Sequence, residues 1–178
     1  MGPDTLQLPG WLPLAGVYPL QPDRCLGEFT FRAFGVRLRV RVEPRAGSLT
    51  VTADPDDSRL VLEAGPLLRL FGGPPGLART VRRWWPRATR TGGLRLDIIE
   101  LDGEPDGRLH LTAELQLDLM MVPLELDGRV VRHNDSGWTF VADGRVRLRD
   151  TCWKYAPRLR RMALSRWIHV LVAAEFAL

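Results

Sequence analysis

The side chains able to do acid-base, nucleophilic or metal chemistry are few in this 178-residue chain, and they do not gather in sequence. His110, His133 and His169 lie far apart, none with a companion at metal-ligand spacing. No Cys-x-x-Cys pair, nucleophile elbow or phosphate-cradling glycine loop occurs. Gly72, Gly73 and Gly76 come near such a loop, but the interleaved Pro74 and Pro75 remove backbone donors and make the stretch a hinge. Glu114 and Asp118, on one strand face, would stand about 13 Å apart, too far for one acid-base pair. We therefore expect no catalytic residue, no metal and no cofactor. Cys25 and Cys152 are too few for a disulfide framework and read as buried thiols of a reducing compartment.

The chemistry that remains is anion binding by arginine. The basic residues are 24 arginines and one lysine, Lys154, and their placement is uneven. Arg79, Arg82, Arg83, Arg87 and Arg90 fall in one window without an acid, and Lys154, Arg158, Arg160, Arg161 and Arg166 in another. The net charge of +4 is thus concentrated in two places, and the rest of the chain is net acidic. An arginine fork grips two oxygens at once, which suits phosphate or an anionic lipid head group. The plainer reading is a solvated charged face. A nucleic-acid partner is not expected, because a stacking array of aromatics on strands is missing.

The elements that must position these windows are strands. Leu109, Leu111, Ala113, Leu115, Leu117 and Leu119 alternate with polar residues, and Arg37 to Val42 alternates as strictly, so each run has one dry face. Strand-like runs cover 16–20, 28–34, 36–42, 48–53, 59–64, 94–101, 108–119, 122–132, 138–149 and 167–177. Turn signals at Pro44 to Gly47, Asp54 to Asp57, Asp102-Gly103, Asp106-Gly107, Asp127-Gly128, Asp135 to Gly137 and Asp143-Gly144 favour sequential hairpins. A shift of apolar parity between Phe31 and Val36 predicts a bulge or bend at Phe34-Gly35. The two basic windows break the pattern: an amphipathic helix around 77–85 places Leu77, Val81, Trp84 and Trp85 on one side, and a helical turn around 157–164 follows Pro157. Such a sheet must cover its apolar face or close on itself.

The run from Tyr18 to Val36 resembles, without a gap, the opening of the YceI-like family of polyisoprenoid-binding, lipocalin-like proteins, with Tyr18, Pro22, Glu28, Phe29, Arg32, Gly35 and Val36 matching best. Ala113 to Leu126 is similar to the family's segment around its proline, here Pro123. Leu148 to Trp153 sits where the family has a polar stretch ending in phenylalanine, and Trp167 to Ala177 resembles its closing strand. The polar hallmarks differ: Arg24 and Ala33 replace two histidines, Asp118 and Leu119 replace a histidine-glycine pair, and Asp150 to Cys152 lack arginine-serine-aspartate. The resemblance implies a barrel of about eight strands with an apolar chain in its lumen; it does not carry over the family's polar ligand contacts. Sheet closure itself permits either a side-chain-filled interior or a cavity.

The expectation is an all-β chain: residues 1–15 form an N-terminal extension and 16–178 one antiparallel, lipocalin-like, up-and-down β-barrel with a short helical insertion. Its function is non-catalytic binding, transport or sequestration of an isoprenoid or other long-chain lipid. An enzyme or accessory protein of lipid metabolism using the lumen as a chamber, and a basic nucleic-acid or membrane-surface binder, are the alternatives. Lumen-lining candidates are Phe29, Phe31, Leu38, Val40, Leu111, Leu115, Leu117, Phe140 and Trp153. Mouth candidates are Arg79, Arg82, Arg83, Trp84, Trp85, Arg158 and Arg161, with both windows flanking one opening. A transient membrane contact, a homodimer and a cytoplasmic location complete the expectation; the segment from Met1 to Leu20 lacks a basic n-region, and Pro3, Pro9, Gly10 and Pro13 break any apolar h-region.

Overall fold

The computed structural model describes residues 10–33, 35–52, 54, 57–71, 76, 79, 94–117, 120–134, 137–147 and 167–178, with backbone alone at 33, 66–71, 117, 120, 133 and 134. Among these described residues nine strands follow in order: β1 (Gly16–Pro19), β2 (Leu26–Ala33), β3 (Val36–Val51), β4 (Arg59–Phe71), β5 (Leu94–Gly103), β6 (Arg108–Leu117), β7 (Met120–Asn134), β8 (Gly137–Arg147) and β9 (Trp167–Ala177). All pairings are antiparallel, and β3 pairs with both β2 and β4, so β2 to β9 close into an eight-stranded barrel. β1 extends the wall beside the far half of β3, Gly16 opposite Val51, and a 3-10 turn at Pro22–Arg24 steps the chain from it into β2. The expected closed all-β barrel is what the chain forms.

Period-2 patterning carries through to burial. Leu109, Leu111, Ala113 and Leu115 are buried while His110 is exposed, and Leu38, Val40 and Val42 are buried between Arg37, Arg39 and Arg41. The outward arginines pair with acids: Arg41 Nε with Glu28 at 3.1 Å, Arg95 Nε with Asp97 at 2.9 Å, Arg108 Nε with Asp106 at 2.7 Å. His110 likewise meets Asp127 at 2.8 Å on the outer face, as an ordinary surface histidine. That hydrogen bond raises the His110 pKa above its usual value. The protonated pair stabilises the fold below the unfolded histidine pKa, and the effect fades as pH rises through the raised value. Because both side chains are solvent-screened, it contributes less than about 1 kcal/mol. Asp127→Asn should return the His110 titration, followed by NMR, to the ordinary histidine range; an unmoved titration would remove this account.

Several expected boundaries shift. Phe34-Gly35 is not a bend within one run. Gly35 adopts φ +79° in a hairpin that turns β2 back on β3, Ala33 opposite Val36. Runs 36–42 and 48–53 are one strand, and the expected turn from Pro44 to Gly47 is an irregular stretch of β3, with register shifts against β4 at Val42/Pro44 and Pro44/Ala46. Asp127-Gly128 and Asp143-Gly144 are not turns either; they lie within β7 and β8. The two glycines occupy points where the walls pass too closely for a side chain: a Cβ on Gly144 would collide with the Glu125 carbonyl, and one on Gly128 with that of Val141. Turn chemistry and close backbone approach select the same residue, so the sequence signal was ambiguous.

Within the expected N-terminal extension, the described residues just before β1 pack against the barrel. Trp11 and Leu12 are buried, and Trp138 Nε1 donates a 2.8 Å hydrogen bond to the Trp11 carbonyl. Gly103 is required there, since a Cβ would fall within the Trp11 ring. Tyr18, whose hydroxyl donates to the Leu14 carbonyl at 2.8 Å, is buried, and so is the aromatic set Trp138, Phe140 and Phe176. Phe140 and Phe176 stack with centroids 6.5 Å apart, and Trp138 lies 5.0 Å from Phe140. This end of the barrel, which carries the β3–β4, β5–β6 and β7–β8 connections, is plugged with side chains.

Candidate functional site

An up-and-down barrel alternates its connections between two ends. The β2–β3, β4–β5, β6–β7 and β8–β9 connections therefore share the end opposite the aromatic plug, called the rim here. β4 stops at Phe71 and β5 begins at Leu94; β8 stops at Arg147 and β9 begins at Trp167. Both basic windows are thus tethered to strand ends at the rim. Arg79 is exposed and, like Gly76, has helical backbone. Arg82, Arg83, Trp84, Trp85, Arg158, Arg161 and Trp153 lie outside the described residues, as do Cys152 and the turn around 157–164.

Between the plug and the rim the lumen holds an apolar cavity of about 30 Å³. It is lined by inward-facing side chains of six strands, among them Phe29, Val42, Leu62, Leu94, Leu115 and Val172. Glu63 also borders it, but that side chain is half exposed and pairs with Arg95 at 3.3 Å. Of the sequence candidates, Phe29 and Leu115 face this cavity. Leu38, Val40 and Leu111 are buried in the wall's inner face, and Phe140 belongs to the stacked plug rather than to an open lining. Phe31 is partly buried near the rim, and the Leu117 side chain lies outside the described residues. Val42, Leu62, Ala64, Leu94, Leu96 and Val172 were missed as lining residues, although the alternation around each marks it as inward-facing.

The interior thus answers the question that closure left open in two parts: the plugged half is filled, and a small hollow persists toward the rim. Its volume equals about one water molecule's share of the liquid, so a prenyl chain would have to displace side chains at the rim to enter. The lining offers dispersion and desolvation and almost no hydrogen bonding.

Other candidate chemistry is sparse. Among the described residues no group of three or more His, Cys, Asp or Glu side chains could hold a metal ion. Cys25 is a free, half-buried thiol that donates to the Gln21 carbonyl at 3.0 Å, and burial pushes its pKa up, away from nucleophilic character. No helix among the described residues is long and apolar enough to cross a membrane.

No protein-family model matches the chain, and no curated protein does. Solved structures do. A polyisoprenoid binding domain from Saccharophagus degradans, implicated in plant cell wall breakdown, superposes with TM-score 0.61 at 12% identity, covering 90% of this chain and 97% of that one. BcnA of Burkholderia cenocepacia superposes with TM-score 0.53 at 8% identity, covering 88% and 98%. At such identities side-chain chemistry is not transferable, yet nearly the whole length of each chain is matched. What the likeness establishes is architecture: this chain shares the closed antiparallel β-barrel fold of those two structures.

Proposed function

We propose that the protein is a non-catalytic binder of a long-chain lipid, of isoprenoid or similar class, held with its hydrocarbon in the rim half of the barrel. One observation carries the reading: an unfilled part of the described lumen is lined by apolar side chains from six strands and lies toward the rim. The fold shared with a polyisoprenoid-binding domain supports it. Each methylene buried there would contribute about 0.8 kcal/mol, so a chain of some 15 carbons needs few polar contacts. Displacing rim side chains offsets part of that gain. The arginine windows tethered at the rim suit an anionic head group or a transient contact with an anionic membrane surface. Cysteine usage, with Cys25 a free thiol, fits action in the cytoplasm.

Native mass spectrometry of freshly purified protein tests the reading. A hydrophobic adduct should be retained and released on collisional activation. Ala64→Leu, which adds a bulky side chain at the cavity wall, should lose the adduct while keeping its β-sheet circular dichroism. Protein that is always bare, and that takes up no added farnesol, would end the proposal.

A further inference from the structure

The outward side chains at one corner of the rim form a charged field that the lumen does not use. Where β3, β2, β9 and β8 approach the rim, their register lines the outer faces up in rows. The row nearest the rim holds Arg37 opposite Arg32 and, across the junction of β2 with β9, Trp167 opposite Arg147. The next row runs unbroken through Arg39, Thr30, His169 and Arg145. Five arginines and no acid occupy these two rows; Glu28 and Asp143 enter only in the third.

Two apolar groups stand exposed at the same corner. Trp167 is 45% exposed, and Val36, 37% exposed, follows Gly35 at the tip of the β2–β3 hairpin. An indole beside guanidinium groups suits the head-group layer of a bilayer, because the ring has an apolar body with a polar edge and the arginines meet lipid phosphates. Some of these arginines are engaged on one side: Arg147 lies 5.8 Å from the Trp167 ring centroid, and Arg39 pairs with Glu28 at 3.7 Å. A guanidinium has several N–H donors, so an arginine held on one side still presents others to a phosphate.

The opposite end differs. Exposed apolar residues occur there too, Leu14, Val17 and Leu178, but the charged residues described in its β3–β4 and β5–β6 connections are Asp54, Asp57, Glu104 and Asp106. An anionic surface therefore attracts one end of the barrel and repels the other. Both basic windows are tethered at the attracted end, and the four-strand face stands without them.

We propose that the outer wall of β3, β2, β9 and β8 at the rim is a docking face for an anionic lipid bilayer, which the protein meets rim first. Trp167 and Val36 enter the head-group layer, and Arg37, Arg39, Arg145 and Arg147 lie against the lipid phosphates. A nucleic acid fits less well, since one exposed ring offers no run of stacked bases. The proposal rests on the lipid-binding reading, to which it adds the surface where the lipid is exchanged, and its readout is separate.

The test is flotation of the full chain with vesicles of phosphatidylcholine, alone or mixed with phosphatidylglycerol, at about 0.1 M salt, where charges more than about 10 Å from the membrane are screened. The protein should partition at least about thirtyfold more strongly onto the anionic vesicles, and Arg37→Gln combined with Arg147→Gln should weaken that binding about tenfold or more. Trp167→Ala, which leaves the charge unchanged, should weaken it about threefold. Arg59→Gln combined with Arg132→Gln, the same charge change at the plugged end, should leave it within about twofold. All five side chains are exposed, so each variant should keep its β-sheet circular dichroism. Equal partition onto neutral and anionic vesicles, or an undiminished partition of the variant at Arg37 and Arg147, would overturn the docking face. Equal losses from the two arginine pairs would reduce the effect to net charge and overturn it too. Displacement from the vesicles by single-stranded RNA at equal phosphate concentration would make the face a nucleic-acid surface instead. None of these outcomes touches the adduct sought by native mass spectrometry, on which the lipid-binding reading stands or falls by itself.

Discussion

Trp138→Ala should lower the stability of the barrel by about 4 kcal/mol, the usual scale for emptying a fully buried aromatic site. The indole is wholly buried, packs against Phe140 and Phe176, and donates its one N–H to the Trp11 carbonyl at 2.8 Å. Truncation would open a void in the plug, orphan a buried carbonyl and free the Trp11–Leu12 segment in one step. For a domain of this size the loss should appear as a fall of roughly 8–16 °C in Tm. Trp138→Phe, which keeps the ring and removes the donor, should recover more than half of it. A melting point within a degree or two of wild type for Trp138→Ala would show that the aromatic plug does not organise this end of the barrel.

Gly144→Val is expected to be nearly as damaging, about 3 kcal/mol, through overpacking instead of loss. Gly144 lies on the inward face of β8 opposite Leu126, and its missing Cβ is replaced by the Glu125 carbonyl of the neighbouring strand. The obstacle is backbone, which cannot swing aside as a side chain can, so β7 and β8 would have to move apart and lengthen their ladder. Urea titration should show a lower midpoint. An unchanged midpoint would mean that the tight curvature at this seam is not demanded by the fold.

How much of this was legible depends on the kind of signal. Alternation at Leu109 to Leu115 and at Arg37 to Val42 named both the strands and their inward faces, because a half-buried strand has no other way to order its residues. Residues with two structural uses were misread. Gly128 and Gly144 follow aspartates in a turn-like pair, yet the fold needs them for proximity of walls. Pro44 reads as a breaker, but β3 absorbs it in a bulged stretch. Trp11 could not be placed at all, since a plug residue packs across the barrel axis and has no periodic neighbours to announce it.

The candidate site was legible in the same partial way. Phe29 and Leu115 followed from parity, while Leu111 and Phe140 have equal parity and occupy the filled half. Parity gives the face of a strand and says nothing of depth along the axis. Depth depends on register between strands, which arises from pairings such as Phe140↔Ala174 and Phe29↔Val170 that one sequence does not encode locally. The end of the β2–β9 pairing at Thr30↔His169 was invisible for the same reason, since it too is a matter of register between distant strands.

That seam also has a consequence for how the molecule comes together. Every other contact around the ring joins strands consecutive in the chain, from β2–β3 through β8–β9, so each can zip from its own connection. Of the ring's pairings only β2 with β9 unites segments more than a hundred residues apart, and among those pairings it bears the largest loop-closure entropy. A barrel built this way has a preferred line of breathing: opening there undoes the join with the least local support and leaves every hairpin intact.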